Sequence, residues 1–408
     1  MNRRRFGSYF RQEFLFFSIL LFSCGLNLNA QEKYKYVVGE NPDEFKKLLN
    51  EFGNQKYKLL SATKIPLKDN EHSYTQMILA AILKYDGEQT FSYEYFAASN
   101  PDSAEFGLNA LAEKGFRYRK TFWFTDGIKD PAGCSGDDAT SQILCRGAQS
   151  DDIRVGSLVL MEQEDGKNNK SYYKVLSGDT KAFIWEKSNA ATLREVFSET
   201  LKDSFFLPLG LFYYQLDFRD AVIVEIINDA EIVPKVSSKI SYKIVRNELG
   251  GSFNKEIERL GGDGFQIIAK EKNFAVVGQN EENKTPVSYE IVAAHKKNHL
   301  AEINKLAAQE GARFLLADYD HYEIDQFEGK LLFEKKVKTG AKRFTYKAVK
   351  LTDRPLYPNK QVKKRTVQPA SAAAMNELNE LVKNGYEIRA LYYSRGLGGI
   401  AALFEKER

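Results

Sequence analysis

The sequence predicts an α+β protein of six tandem β-α-β-β repeats, with helices packed on mostly antiparallel sheets and the repeats paired or stacked. Three observations predict it. A tyrosine-led strand segment recurs six times, an apolar stripe at helical spacing follows each copy, and an apolar closing strand ends each repeat.

The opening strands come first. "SYEYFAA" (92–98) and "SYEIVAA" (288–294) are near-identical, and "KYKYVV" (33–38), "SYYKVL" (171–176), "SYKIVR" (241–246) and "TYKAVK" (345–350) share their tyrosine in second place. Their β-branched and aromatic content suits a strand. The helices follow. Phe45, Leu48, Leu49 and Phe52 fall on one face of a helix, as do Leu108, Leu111 and Ala112. The same spacing recurs at Leu193, Val196 and Phe197, at Phe253, Ile257 and Leu260, at Leu300, Ile303 and Ala307, and at Met375, Leu378 and Val382. "NPDEF" (41–45) and "NPDSAEF" (100–106) place Asn at the N-cap and Pro at the first helical position, and Asn298 and Ser371 are the expected caps of the last two helices. "KGFRY" (114–118), "DGFQI" (263–267), "EGARF" (310–314) and "NGYEI" (384–388) put Gly where a left-handed residue ends a helix, and the first repeat has Lys56 there instead.

Second strands and closing strands complete each copy. The closing strands are "MILAAILKY" (77–85), "SLVLMEQ" (157–163), "AVIVEII" (221–227), "FAVVGQ" (274–279), "KLLFEKK" (330–336) and "AALFEK" (401–406). The repeats are assigned to 31–88, 89–168, 169–230, 238–284, 285–338 and 342–408. The pattern resembles small tandem β-α-β-β domains of unknown function in exported bacterial proteins. The motifs that carry the resemblance are Tyr-x-(Ile/Val)-Val, a helix ending Gly-(Phe/Tyr), and a strand ending Phe-Glu-Lys. It implies a fold and no activity.

About fifty residues bury too little surface to stand alone, and one helix covers one face of a small sheet. The strands are apolar on both faces, as Leu332 beside Phe333 and Val222 beside Ile223 show. Neighbouring repeats are therefore expected to cover each other. With strand one up, helix down, strand two up and strand three down, the strand-one exits and the strand-two exits share one end. The long insertions 65–74, 125–153, 177–189, 318–329 and 353–371 fall at that end, where loops on a scaffold carry binding.

Residues 1–30 read as an export signal: Arg3, Arg4, Arg5 and Arg11, then the apolar run Phe14–Phe22, which is too short to span a bilayer. Two exits stay open. One is cleavage after Ala30. The other is a lipoprotein signal ending at residue 23, with "LFSC" placing Cys24 for lipidation. Removing residues 1–30 takes away four Arg and one Glu, leaving 59 − 4 = 55 basic and 55 − 1 = 54 acidic side chains. The net charge falls from +4 to +1, and the case for a nucleic-acid partner goes with it. Cys134 and Cys145, in an oxidising compartment, are expected to form a disulfide, which would stabilise by roughly 3 kcal/mol through loop closure.

Candidate chemistry is sparse. Trp185 stands among charges in an insertion and is a candidate partner anchor, as is the basic run with Lys360, Lys363, Lys364 and Arg365. His295, His299, Asp318 and His321 form a candidate metal set in the fifth repeat. No catalytic residue and no cofactor is indicated. The expectation is a non-enzymatic binding or scaffolding protein of the bacterial cell envelope. Its partner would be an envelope protein or polysaccharide, and a lipid anchor would be its one membrane contact. The alternative is an envelope metal-dependent hydrolase using the fifth-repeat histidines.

Overall fold

The computed structural model describes residues 33–65, 77–126, 154–167, 171–177, 190–201, 205–214, 219–227, 240–246, 253–271, 274–282, 284–308, 312–321, 327–336, 343–353 and 370–408. These form a mixed α+β body over Tyr34–Arg408. Its elements, in chain order, make six small antiparallel sheets.

The first sheet has β1 (Tyr34–Gly39), α1 (Pro42–Asn54), β2 (Tyr57–Lys64) and β3 (Leu79–Tyr85). The second has β4 (Phe91–Ala98), α2 (Pro101–Ala112), β5 (Arg117–Asp126) and β6 (Arg154–Glu164). The third segment has β7 (Tyr172–Ser177), β8 (Ala191–Thr192), α3 (Leu193–Val196), α4 (Ser198–Leu201), β9 (Phe205–Tyr214) and β10 (Arg219–Ile227). The fourth has β11 (Ile240–Arg246), α5 (Phe253–Gly262), β12 (Gln266–Glu271) and β13 (Phe274–Asn280). Then come β14 (Val287–Ala293), α6 (His299–Ala307), β15 (Ala312–His321) and β16 (Phe327–Lys336). Last are β17 (Phe344–Asp353), α7 (Ala372–Lys383), β18 (Glu387–Ser394) and β19 (Gly399–Glu407).

Every sheet places its third strand in the middle, between the first and the second, and pairs it antiparallel with both. Strands one and two are thus parallel, joined by a helical crossover, and the hairpin from strand two returns through the gap between them. The central strands are the most buried, Leu79–Leu83 and Ala401–Phe404 being fully so, which accounts for their unbroken apolar runs.

Local signals are realised where expected. Asn41, Asn100 and Ser371 cap their helices by accepting from the N–H of Glu44, Ser103 and Ala374. Gly115, Gly264 and Gly385 take positive φ, and Lys56 does the same with φ 67°. Gly398 turns the β18–β19 hairpin at φ 77°. Two expectations need correction. Asn298 precedes α6 without a side-chain capping bond, because its φ of −95° and ψ of 10° are not the extended cap conformation. The helix expected from Leu193, Val196 and Phe197 is two single turns, α3 and α4, and β8 before them pairs with β11 of the next sheet.

Each core is shared by consecutive sheets. Leu49 and Leu83 pack with Tyr93 and Leu160, and Leu108 and Met161 with Tyr173 and Phe212. Leu193 and Val222 join Ile244 and Val276, and Val245 and Leu260 join Leu332. Val292 and Phe333 pack with Tyr346 and Leu403. The sixth core joins Leu378 and Phe404 to Tyr34 and Ile82, so the last sheet packs on the first. Two hydrogen bonds cross that closure: Leu391 N–H donates to Ser61 Oγ at 3.1 Å, and Tyr36 and Thr352 share one at 2.7 Å. The body is therefore a closed cycle of six sheets, where the sequence reading expected pairs or a stack.

Candidate functional site

The second strands form the inner wall of the cycle. β2 meets β5, β5 meets β9, β9 meets β12, β12 meets β15, β15 meets β18, and β18 meets β2. All six carry a bulge at one register position, between Leu59 and Ser61, Tyr118 and Lys120, Pro208 and Gly210, Ile267 and Ala269, Phe314 and Leu316, and Ile388 and Ala390. A bulge sharpens twist and re-aims the residues after it. The extra residues include Leu60 and Ile268, both exposed although large and apolar. Two others are arginines paired to buried carboxylates of the central strand. Arg119 binds Glu162, and Arg389 lies 3.6 Å from Glu405, which Arg313 also binds at 3.0 Å.

Inside this wall lies a cavity of about 260 Å³, lined by second-strand residues from five of the six sheets. Among the described residues its charged lining is Lys64, Arg119, Lys120 and Lys270. The ammonium groups are held by the wall. Lys64 Nζ donates to the Trp123 carbonyl at 3.2 Å and sits 3.4 Å above the Trp123 ring. Lys120 Nζ donates to the Ala62 carbonyl at 2.6 Å. Gly210 is required opposite Tyr118, since a Cβ there would lie 2.1 Å from the tyrosine oxygen. Lys64 ends β2, and Trp123 and Lys270 lie near the ends of β5 and β12, so these residues sit toward the end from which the insertions leave.

Of the residues singled out from sequence, His299 is wholly buried at the first turn of α6. Its Nδ1 lies 2.8 Å from the Lys296 carbonyl, which only accepts, so Nδ1 carries the proton. Nε2 then accepts from Tyr392 O–H at 3.0 Å. Burial pushes its pKa below the ordinary histidine value, so the ring is neutral, and both nitrogens are used in packing. His295 lies in the turn before α6. The backbone of Asp318 and His321 ends β15. Among the described residues no group of three or more His, Cys, Asp or Glu is arranged to hold a metal. Cys24, Cys134, Cys145, Trp185, Lys360, Lys363, Lys364 and Arg365 lie outside the described residues.

The cavity lysines carried no signal as singles, because a Lys in a strand ordinarily marks a solvated face. What sequence did contain was their common place, in the second strands of repeats one, two and four. The chain matches no family model, no curated protein and no solved structure. No helix among the described residues is long and apolar enough to cross a membrane.

Proposed function

We propose that the chain is an exported, non-enzymatic binding module of the bacterial cell envelope. Its six sheets are copies of one β-α-β-β unit, and it takes an envelope protein or polysaccharide at the insertion-bearing end. Residues 1–30 direct export, and any membrane contact comes through lipid on Cys24. One observation supports the reading above others: strands one and two run parallel in every sheet, so their exits share an end, and segments 66–76, 127–153, 178–189 and 354–369 all leave from it. Four of the long connections thus leave from one end, with 228–239 leaving from the other, and loops gathered on a scaffold are where binding resides.

The test is capture of partners from an envelope extract by the mature protein, compared with Trp185→Ala and with deletion of 357–368. The reading requires that at least one change abolish a specific capture while thermal stability is kept. Unchanged capture by both variants removes the loop-end assignment. The mass of the mature N-terminus separates cleavage after Ala30 from lipidation at Cys24.

A further inference from the structure

A first strand presents its outer edge to the helix of the sheet before it, and the seams close that edge in different ways. At three of them an asparagine of the helix donates to the carbonyl and accepts from the N–H of the strand's tyrosine: Asn50 with Tyr93, Asn109 with Tyr173 and Asn304 with Tyr346. At the third-to-fourth seam the edge is closed by β8, which pairs antiparallel with Lys243 and Ile244 of β11. Among the described residues β14 has neither device. Ala294 N–H donates to the Gly329 carbonyl at 2.7 Å, and ladder bonds alternate along a strand, so Tyr289 and Ile291 turn their N–H and C=O away from β16. The place of the asparagine in α5, three residues before Gly261, is held by Glu258. A carboxylate accepts but cannot donate, so it cannot close an edge as an amide does. The seam is correspondingly open. Tyr289 is half-buried where Tyr93, Tyr173 and Tyr346 are buried, and Ile291 is 40% exposed.

Between α5 and β14 lies a cleft of about 170 Å³, lined by Ile257, Ile291 and Leu332 and flanked by exposed Glu258 and Glu290. Neither carboxylate has an ion pair among the described residues. At two other seams the residue matching Glu290 is paired to the helix, as Glu94 with Lys46 and as Lys174 with Glu105. The other charged group on the cleft among the described residues, Lys270, lies over the Phe253 ring at 5.6 Å. A cleft of this volume falls below the range of small-molecule sites, about 300–1,000 Å³, and suits a single side chain.

We propose that this cleft is a docking site for an extended, basic segment of a partner polypeptide. The segment adds antiparallel to β14, as β8 does to β11 at the matching residues, and exchanges backbone hydrogen bonds with Tyr289 and Ile291. One apolar side chain enters the cleft, and Lys or Arg side chains beside it meet Glu258 and Glu290. The site is independent of whichever partner the loop-bearing end takes.

The experiment is fluorescence anisotropy of the full mature chain with a labelled, end-blocked peptide, Lys-Ile-Lys-Val-Lys. Two controls accompany it: Glu-Ile-Glu-Val-Glu, which reverses the charge, and Lys-Pro-Lys-Pro-Lys, which keeps the charge and cannot pair as a strand. Saturable binding of the first peptide alone is expected. Glu258→Asn restores the closing amide of the other seams, and it should weaken binding by about tenfold or more as the edge hydrogen bonds are lost to the peptide. Glu377→Gln, on the exposed face of α7, should leave binding unchanged. Hydrogen exchange on the unmodified protein guards against misfolded variants. The Tyr289 amide should exchange faster than those of Tyr93, Tyr173 and Tyr346, and saturating peptide should slow Tyr289 and Ile291 alone. Absence of binding, equal binding of either control peptide, full binding by Glu258→Asn, or a Tyr289 amide as protected as the other three overturns the assignment. So does a dimer that excludes the peptide, which would give the edge to a second copy of the chain.

Discussion

A tyrosine near the start of the opening strands reaches into the sheet before its own; it stands in second place in the other copies and is Tyr173, the third letter of "SYYKVL", in the third. Tyr93, Tyr173, Tyr289 and Tyr346 hydroxyls accept the backbone N–H of Leu59, Tyr118, Ile267 and Phe314, each the residue just before a bulge. The bulge frees that N–H from the ladder, and the hydroxyl satisfies it. Tyr346 also donates to Glu405 at 2.7 Å, which burial and the nearby carboxylate make it do as a neutral phenol with a raised pKa. The fourth sheet supplies an internal control. Tyr242 faces the third sheet, where the equivalent residue is Pro208, which has no N–H to give, and burial alone raises its pKa to about 12. Tyr346→Phe should therefore destabilise by about 1–3 kcal/mol, leaving a buried N–H and a carboxylate oxygen unmet. Tyr242→Phe should stay within about 0.5 kcal/mol. Urea unfolding of the two variants measures the difference, and equal losses would disprove this account. The recurrence of the tyrosine was plain in the sequence. Its reason was not, because its partner lies one repeat earlier.

The elements repeat the same lesson. A helix here serves two sheets, packing on its own and on the first strand of the next. That strand is a sheet edge whose outer backbone groups need partners. Asn50, Asn109 and Asn304 supply them, each side chain donating to the carbonyl and accepting from the N–H of one tyrosine: Tyr93, Tyr173 and Tyr346. Three residues further on, each helix has a small residue: Gly53, Ala112 or Ala307. In α5 that place is Gly261, where a Cβ would lie 2.6 Å from the Val287 carbonyl, whereas one on Gly262 would meet nothing within 4 Å. Gly261→Ala should cost about 1–3 kcal/mol by forcing the helix off β14. Gly262→Ala should stabilise by up to about 1 kcal/mol through lost backbone freedom in the unfolded chain. Thermal melts of this adjacent pair decide it, and a shared sign would refute the close-packing argument. Caps and Gly turns were legible because they are local. The asparagines carry no such local signal, because the tyrosine each one bonds lies in the next repeat. The third helix was over-read from Leu193, Val196 and Phe197, since Phe197 leaves helical geometry and Val196, Ser198 and Thr200 are poor helix formers.

At the scale of the whole molecule, thin sheets with two apolar faces demand neighbours on both sides, and an open row always leaves two faces bare. Closing the row removes both. That neighbours were needed was readable from Leu332–Phe333 and its counterparts. That the row closes was not, since the closure rests on pairs such as Leu391 and Ser61, 330 residues apart. The cavity depends on the same closure, because its wall exists only when the second strands converge. A cycle has no privileged start. β1 begins and β19 ends at the same end of adjacent sheets, so joining 408 to 33 should be harmless. New termini can be placed at Gly87–Glu88, in the turn between β3 and β4. This permutant should fold as a monomer, with a urea midpoint close to that of the parent. Deleting 343–408 should do the opposite. It bares the apolar faces around Ile82 and Phe333 together, and the product should aggregate or lose its cooperative transition. Size-exclusion chromatography and urea unfolding of both proteins read the outcome. A truncated chain that stays monomeric with an undiminished transition would mean that the sixth sheet is an appendage and that the cycle holds nothing together.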